Sequence, residues 1–276
     1  MGRGCDGKER VAMRRLKRDK PAAGLPAAVG TGPDSATVAA CGVGHDAARQ
    51  PLVFLGRRTL SKLYLMLHLG RLMSLSGPVR LDTVNPQVSA ETCYEHNGID
   101  IHEHPDEESL RRSLSLEPET EGRRMLDAAG AVSLPPHGRL VLVTDPDRNS
   151  VEGAMSALSG CGGSFCRVHR VYVDLCAETR VGVRVLEGML LRSLPEQATP
   201  GQWYALEMDE RDRGAMLNNQ HEDTLRLNRL TPSYRALLAA LARTCFGMTA
   251  IETARALRDA DKRKYRPRPS LAGTGR

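Results

Sequence analysis

Short apolar runs alternate with segments of helical period from about residue 52 to about residue 195. The clearest runs, Leu52–Leu55 and Arg139–Thr144, end at Gly56 and Asp145, which is typical of strands buried on both faces of a sheet. Strands that alternate with helices predict βαβ units and a largely parallel sheet. The predicted strands are 52–55, 79–84, 139–144 and 168–175, and the predicted helices are 61–73, 119–129, 151–158 and 178–194.

The pattern changes near residues 195–203, where two prolines and a glycine cluster. From about Tyr204 only helical periodicity remains, which predicts helices over 205–230, 233–243 and 249–260. The sequence therefore predicts four parts: a disordered basic arm (1–50), an α/β domain (51–198), a small all-helical subdomain (204–260) and a basic disordered tail (261–276).

The composition is that of a globular protein with an aliphatic core. Of 276 residues, 41% are hydrophobic, 26% are charged and only 4% are aromatic, which disfavours a row of base-stacking rings. No apolar run reaches the roughly 18–20 residues that span a bilayer, and the N-terminus lacks the apolar core of a secretory signal. We therefore expect an intracellular protein with no membrane partner.

The net charge of +6 belongs to the ends of the chain. Residues 1–20 and 261–276 each carry +5, whereas residues 21–260 carry −4. Basic ends attract nucleic acid at long range, or they simply keep the protein soluble. The run Arg14–Arg18 fits a nuclear signal or a phosphate-contacting arm, whereas acids among the first twenty residues count against a mitochondrial targeting peptide. The compartment stays open between nucleus and mitochondrion.

The seven cysteines indicate a reducing compartment, because their number is odd and no secretory signal accompanies them. Cys161, Cys166, His169 and Cys176 could form a metal cluster, but their spacing matches no common zinc pattern. We expect buried, inert thiols instead. For the acidic, histidine-containing segment 91–108, a solvated loop is favoured over a metal site.

The segment Leu140–Arg148 carries the most informative chemistry. A buried strand delivers Asp145 and Asp147 to the carboxyl end of a parallel sheet, the edge at which α/β folds bind their ligands. Paired carboxylates there suit Mg²⁺, which takes oxygen ligands and brings phosphates with it, and Arg148 could hold a phosphate through two hydrogen bonds. Alternatively, Asp-Pro-Asp is an ordinary turn, because Asp and Pro favour turns for local reasons.

These residues resemble a known family. Thr144–Arg148, which reads TDPDR after an apolar strand, is similar to the TDPDREGE motif of the Toprim domain in type IA DNA topoisomerases. Leu52–Lys62, running on to Gly70, resembles the LVIVESPAKAKTI…LG opening of that family, and the resemblance continues to about residue 258. The weaker matches are His169–Asp174 to the strand after the Toprim helix, Asn218–Gln220 and Leu227–Leu230 to the N-x-Q and LDRL pieces of the next domain, and Gly247–Thr249 to the LSAGRVQS segment.

The resemblance implies a fold, a cofactor and a set of site residues. The fold would be a Toprim-like, Rossmann-like, mostly parallel sheet followed by a small all-helical subdomain. Asp145 and Asp147 would bind Mg²⁺, and single-stranded DNA or RNA would be the partner. The implied nucleic-acid contacts are Arg57, Arg58, Lys62 and Arg148.

The chain departs from the family where catalysis needs it most. Gly56 stands where the first strand of the family ends in a Glu, and Asn149 stands in place of the third carboxylate of the DxDxE motif. The nucleophilic Tyr of the family lies in a later domain, beyond residue 276. Strand cleavage needs a tyrosine to attack phosphorus and an acid to protonate the leaving oxygen, so we do not expect strand passage from this chain alone.

Three functional hypotheses remain open at this point. The first, which we favour, is a topoisomerase-like Toprim protein that binds nucleic acid and weak Mg²⁺, alone or within a larger protein assembly. The second is an active Mg²⁺-dependent topoisomerase or nuclease, in which a partner chain supplies the tyrosine and segment 91–108 brings Glu103, Glu107 or Glu108 towards Asp145. The third is a non-catalytic α/β protein-interaction module whose Asp-Pro-Asp is a turn.

Overall fold

The computed structural model describes residues 29–30, 51–116, 122–131, 138–161, 165–176, 181–196, 198–207, 209–222 and 224–262. The strands are β1 Val29–Gly30, β2 Leu52–Leu55, β3 Val79–Val84, β4 Thr92–His96, β5 Ile99–His104, β6 Arg123–Ala128, β7 Gly138–Thr144, β8 Phe165–Leu175 and β9 Pro200–Glu207. The helices are α1 Leu60–Ser74, α2 Glu107–Leu116, α3 Arg148–Gly160, α4 Val183–Arg192, α5 Glu210–Glu222, α6 Pro232–Phe246 and α7 Ala250–Lys262, and a short 3₁₀ turn covers Leu227–Arg229.

The strands form a single sheet in the order β1-β9-β8-β7-β2-β6-β3-β5-β4. The seven strands from β9 to β5 run parallel to one another, and the edge strands β1 and β4 pair with them antiparallel. β2 lies at the centre of the sheet, paired with β6 on one side and β7 on the other. The predicted α/β class with a mostly parallel sheet is therefore confirmed.

Two apolar cores cover the two faces of the sheet. The alternation of side chains in β2 shows the division, because Leu52 and Phe54 belong to one core and Val53 and Leu55 to the other. The first core contains residues of α1, α6 and α7, and the second contains residues of α2, α3 and α4. A strand buried on both faces has no polar face, which explains the uninterrupted apolar run at residues 52–55.

Several predicted elements are confirmed. The strands predicted at 52–55, 79–84, 139–144 and 168–175 are present, and so are the helices predicted at 61–73, 151–158, 233–243 and 249–260. The helix predicted at 178–194 is present as α4, whose described helical residues are Val183–Arg192.

Two predicted elements in the first half of the chain are wrong. The described part of the predicted helix 119–129 is β6, which lies between β2 and β3. Segment 91–108 is no loop, because β4 and β5 form an antiparallel hairpin and α2 begins at Glu107. The hairpin turns at Asn97 and Gly98, whose φ angles of 54° and 85° are those that a two-residue Asn-Gly turn requires.

The predicted change to helices alone at Tyr204 is also wrong. β9 runs from Pro200 to Glu207 and pairs with β8, and α5 starts only at Glu210. Residues of α6 and α7 share one core with α1 and the sheet. The division into four parts stays a prediction.

The predicted arm and tail lie largely outside the described residues. Within residues 1–50 the structure describes Val29 and Gly30, which pair with Tyr204 and Trp203 at the edge of β9. Of the thiols expected to be buried, Cys161 is buried and Cys176 is exposed, and the side chain of Cys166 in β8 lies outside what the structure describes. Among the described residues, no helix is long and apolar enough to cross a membrane.

Candidate ligand site at the carboxyl edge of the sheet

The carboxyl ends of β2, β6, β7 and β8 meet at one edge of the sheet. They bring together the loop 56–59, Asp127, Asp145 and Asp174. α1 follows β2 onto one face of the sheet, and α3 follows β7 onto the other. The chain therefore changes face between two adjacent strands, which is the place where open α/β sheets bind their ligands.

Gly56 starts the loop between β2 and α1 and leaves no room for a side chain. Its φ is +136°, a conformation that other residues rarely adopt, and a Cβ there would collide with the Val143 carbonyl oxygen. The Gly56 N–H donates to the Ala128 carbonyl at 3.1 Å. A catalytic carboxylate at this position is therefore excluded by packing as well as by the sequence.

Lys62, a predicted nucleic-acid contact, is buried beneath this loop with 1% of its side chain exposed. Its Nζ lies 2.7 Å from the Gly56 carbonyl oxygen, 2.9 Å from the Ala128 carbonyl oxygen and 2.7 Å from Asp127 Oδ1. Burial lowers the pKa of Lys62, and the charge of Asp127 opposes that shift. The ammonium has three acceptors already, so Lys62 fastens β2 to β6 and is not available to a phosphate from solvent.

The two arginines of the loop have different surroundings. Arg58 Nη2 donates to Glu107 Oε1 at 2.6 Å, and its Nε lies 3.5 Å from Asp127 Oδ2. The side chain of Arg57 is 62% exposed, and it lies 3.6 Å from Asp147 Oδ2. Arg57 is therefore the arginine of this loop that can turn towards a ligand at little cost.

Asp145 and Asp147 lie together as predicted, but both have local structural partners. Asp145 Oδ1 accepts from the Asp147 N–H at 2.9 Å, which closes a turn. Asp147 is the N-cap of α3, and its Oδ2 accepts from the Ser150 N–H at 3.4 Å. The hydroxyl of Ser150 is buried beside them and has no hydrogen-bond partner. The turn interpretation of Asp-Pro-Asp therefore describes its local geometry well.

The donor set fits Mg²⁺ only in company with a ligand. The described residues contain no group of three or more His, Cys, Asp and Glu side chains placed to hold a metal ion. Mg²⁺ commonly uses one or two carboxylates and completes its six ligands with water and phosphate oxygens. Asp145 suits that role, because the Asp147 N–H occupies only one of its two oxygens and the side chain is partly exposed.

The remaining predicted residues point elsewhere. Arg148 Nε donates to Glu152 Oε1 at 2.7 Å, a bond that raises the pKa of this exposed arginine. Glu107 reaches the edge of the sheet, but it binds Arg58 and the Ala129 N–H. Glu103 accepts from Tyr94 on the hairpin, and Glu108 lies 3.8 Å from Arg112 on α2.

Asp174 is a polar residue of this edge that sequence reasoning did not single out. It lies near the end of β8 with φ at 54°, and its Oδ2 accepts from Ser61 Oγ at 2.5 Å. The other oxygen, Oδ1, is buried and has no hydrogen-bond partner. A positive φ is uncommon outside glycine, although Asp adopts it more readily than most residues, and such positions cluster at functional sites.

A cleft of about 580 Å³ opens beside this edge, between α1 and the strands β3 to β5. Arg58 and Thr59 lie at its mouth, and Thr59 also lines the small hollow around Asp145 and Arg57. Tyr94 stands at the hairpin side of the cleft and is 46% exposed. The apolar wall is formed by Leu60, Leu63, Leu67, Leu81 and Ile101. A cleft with an apolar wall and a polar mouth suits a small ligand of mixed character.

The loop also invites comparison with a phosphate-binding P-loop. Gly56 and Lys62 have the spacing of the first glycine and the lysine in G-x-x-x-x-G-K-[ST], but Ser61 and Leu63 replace the second glycine and the hydroxyl residue. α1 already begins at Leu60, so the loop is too short to surround a phosphate with backbone N–H groups. The chain therefore lacks, in this loop, the parts with which a P-loop holds Mg²⁺ and phosphates.

Comparisons with known proteins give structural likenesses only. No family model matches the chain, and no curated protein matches it. Thirty chains among the solved structures match. One belongs to the complex of a Cyanothece McdA variant with ATP, with 14% identity and a TM-score of 0.47, covering 73% of this chain and 98% of that one. Another belongs to the MinC:MinD cell division protein complex of Aquifex aeolicus, with 11% identity and a TM-score of 0.42 over 76% and 96% of the two chains.

A plasmid partition protein from Borrelia burgdorferi also matches, with 9% identity and a TM-score of 0.37 over 66% of this chain and 99% of that one. These matches are an McdA variant, a MinC:MinD cell division complex and a plasmid partition protein, and not Toprim domains, so the resemblance to type IA topoisomerases is wrong. The topoisomerase-like function and the expectation of single-stranded DNA or RNA as partner are corrected with it. The physical reason is that TDPDR here forms a local turn and helix cap, and Lys62 is enclosed. The compartment stays a prediction.

Proposed function

We propose that this chain binds a phosphate-bearing small molecule of nucleotide size at the carboxyl edge of its sheet. The observation that carries the proposal is the position of Arg57. Its guanidinium is largely exposed and only loosely paired, and it stands where the chain changes face between β2 and β7. A phosphate there would meet a cation free to turn, beside the N-terminus of the fifteen-residue helix α1.

The energetics favour the replacement of Asp147 by a phosphate as the partner of Arg57. An exposed ion pair such as Arg57–Asp147 contributes about 0–1 kcal/mol. A guanidinium–phosphate pair forms shorter, charge-assisted hydrogen bonds and is often bidentate. Arg58 is already bonded to Glu107, so it would bind phosphate less readily and would mainly fix the loop.

The cleft beside α1 would take the remainder of the ligand. Leu60 and Leu63 are 45% and 36% exposed, and they present an apolar surface opposite Tyr94. A planar group laid against them would remove apolar surface from water, at about 25 cal/mol for each Å². Thr59 joins the cleft to the hollow around Asp145, so one ligand can reach both.

Mg²⁺ would be held by Asp145 together with the phosphates of the ligand, and it would neutralise part of their charge. The proposal concerns binding and not hydrolysis, because the described edge offers neither a P-loop nor an evident general base.

The test is isothermal titration of the full chain with ATP, GTP and tripolyphosphate, each with and without Mg²⁺. We expect saturable binding, and we expect Arg57→Ala to weaken it about tenfold or more, because a hydrogen bond to a charged group contributes about 1.5–3 kcal/mol. Asp145→Asn should remove any advantage given by Mg²⁺. Leu63→Ser should weaken ATP more than tripolyphosphate, which has no planar group.

Arg255→Ala is the matched control, because Arg255 is an exposed helical arginine that pairs with an acid one turn away, far along the chain in α7. Equal binding by the Arg57 and Arg255 variants would contradict the proposed site. The absence of binding to the wild type at ligand concentrations of about 1 mM would contradict the function itself.

A further inference from the structure

A row of polar side chains crosses the outer strands of the sheet, away from the edge described above. It starts at buried Asp82, whose Oδ1 lies 3.1 Å from His104 Nε2. His104 Nδ1 lies 4.0 Å from Glu91 Oε2, and Glu91 Oε1 lies 3.4 Å from His102 Nδ1. The row ends at the surface, where His102 Nε2 lies 3.3 Å from Cys93 Sγ.

The hairpin fixes the last pair of this row. Cys93 and His102 are directly opposite each other in the antiparallel pairing of β4 with β5. Cys93 is exposed, and the side chain of His102 is 19% exposed, so a small molecule can reach the sulfur from solvent. With the ring proton of His102 on Nδ1, which faces Glu91, Nε2 can accept from the thiol.

The distances describe a relay and not a metal centre. Cys93 and Glu91 contact opposite nitrogens of the His102 ring, so their donor atoms do not converge on one point. The described residues contain no set of three or more such side chains that could hold a metal ion. The neighbouring His104 has a ring nitrogen without a hydrogen-bond partner, because its Nδ1 is buried and lies no closer than 4.0 Å to Glu91.

We infer that Cys93, His102 and Glu91 form a thiol nucleophile, its general base and the carboxylate that positions the base, and that Cys93 reacts with small cationic or neutral disulfides. In the reaction His102 Nε2 takes the thiol proton while Sγ attacks one sulfur of the disulfide. The S–S bond of the disulfide breaks as the new S–S bond forms. The leaving thiolate takes the proton, and the chain keeps a mixed disulfide at Cys93.

The charges around Cys93 determine which disulfides react. Partial burial and the charges of Asp100, Glu91 and Asp82 raise the pKa of the thiol, and Arg80 opposes them. The thiol is therefore neutral at rest and depends on His102 for its proton transfer. The same carboxylates attract a cationic disulfide and repel an anionic one. This site is independent of the proposed function, because neither Cys93 nor His102 lines the cleft.

The test measures the rate of mixed-disulfide formation with three symmetrical disulfides of similar size: cystamine (cationic), 2-hydroxyethyl disulfide (neutral) and 3,3′-dithiodipropionate (anionic). Peptide mass spectrometry separates Cys93 from the other cysteines, and each rate is divided by that of N-acetylcysteine with the same disulfide. Exposed Cys176 is the internal control. We expect Cys93 to react faster with cystamine than with the anionic disulfide, by about fivefold for each carboxylate close to the sulfur.

Three variants distinguish the relay from mere exposure. His102→Gln should slow the reaction of Cys93 by up to roughly 10²-fold, the lower range of general-base help, and should leave Cys176 unchanged. Glu91→Gln should shift the pH profile of the Cys93 reaction and reduce its preference for cystamine. Asp100→Asn should reduce that preference without changing the rate with the neutral disulfide. Circular dichroism checks that each variant is folded.

The inference is overturned if Cys93 reacts no faster than Cys176 with the neutral disulfide. It is also overturned if His102→Gln leaves the rate unchanged in a folded protein.

Discussion

Individual charged side chains in the interior of this protein are held by more than one partner. Asp82 is fully buried, and it accepts from Arg124 Nε at 2.8 Å and from Arg80 Nη2 at 2.8 Å. Burial raises the pKa of Asp82, but the hydrogen bond with His104 and these bonds from Arg124 and Arg80 hold it well below its usual range. An unpaired buried charge would be costly, so removal of a single partner should destabilise the protein more than replacement of the whole group by apolar residues.

The role of Asp147 can be tested at the residue scale. As the N-cap of α3 it satisfies a backbone N–H of the first turn. We expect Asp147→Ala to lower the free energy of unfolding by about 1 kcal/mol, and Asp147→Asn to change it little, because Asn caps helices as well as Asp does. Urea unfolding followed by circular dichroism measures both. An equal loss in the two variants would show that the charge, through Arg57, matters more than the cap.

At the scale of elements, the β4–β5 hairpin positions one wall of the cleft and also the pair Cys93 and His102. Alternation along its strands places Tyr94 and Glu103 at the cleft, while Cys93 and His102 lie on the other face. Two hydrogen bonds hold the turn in place. Arg71 Nη1 donates to the Asn97 carbonyl at 2.9 Å, and Asn97 Oδ1 accepts from the Leu225 N–H. The hairpin is thus tied to α1 and to the segment before the 3₁₀ turn.

Replacement of Gly98 should therefore weaken more than the turn. Gly98→Ala places a side chain at φ of 85° and within 2.9 Å of Ser74 Oγ, and we expect a loss of about 1–2 kcal/mol in the free energy of unfolding. Gly130→Ala is the matched control, because a Cβ there meets nothing within 4 Å. Urea denaturation of both variants makes the comparison, and similar losses would contradict the strain at Gly98.

At the scale of the whole molecule, two buried histidines link stability to pH. Burial lowers the pKa of His68 to about 3, and burial together with the charges of Arg167, Arg170 and Arg139 lowers that of His169 to about 4. Asn219 donates to His68 Nε2 at 3.0 Å, and the Gln202 N–H donates to His169 Nδ1 at 3.2 Å, so both rings are neutral acceptors.

The sign of the pH dependence follows from these shifts. An unfolded histidine has a pKa of about 6.5, so below that pH the unfolded chain binds more protons than the folded one. The free energy of unfolding should fall by up to about 1.4 kcal/mol per pH unit for each histidine, from about pH 6.5 down to the folded pKa, and stay flat above. Asp82 contributes only below about pH 4, where the unfolded chain protonates this carboxylate while the partnered carboxylate of the folded chain stays charged, so stability falls further.

Urea unfolding at pH 7, 6 and 5 tests this expectation. His68→Gln should remove about half of the slope, because one of the two histidines is then absent. His221→Gln, which changes an exposed histidine of α5, should leave the slope unchanged. A slope of the same size in the His68 variant would contradict the assignment.

The central strands are predictable because their signal is local. β7 is a continuous apolar run closed by Asp145, and its place in a βαβ series also predicts the edge at which Arg57, Asp145 and Asp147 meet. β6 escapes prediction because it carries three charged residues, which suit a buried strand only when distant partners such as Asp82 and Lys62 are present. The hairpin, in contrast, carries its signal in the sequence, because an Asn-Gly pair predicts a two-residue turn.

The candidate site is predictable only in its outline. The positions of Arg57 and Asp147 follow from chain order, but the partners that occupy Lys62 and Arg58 come from β6 and α2 and cannot be read from spacing. The TDPDR match misleads for a related reason, because a short motif of Asp and Pro occurs wherever a strand turns into a helix.

The pairing of β1 with β9 has a consequence for how the chain is handled. β9 is the last parallel strand on its side, and Val29–Gly30 lies against its outer backbone groups. A chain shortened to begin at Leu52 would leave that edge of β9 without this partner, and bare strands recruit matching strands from other molecules. Self-association of such a shortened chain would then indicate that the β9 edge is exposed. The two residues that cover this edge belong to an arm that composition alone predicts to be disordered.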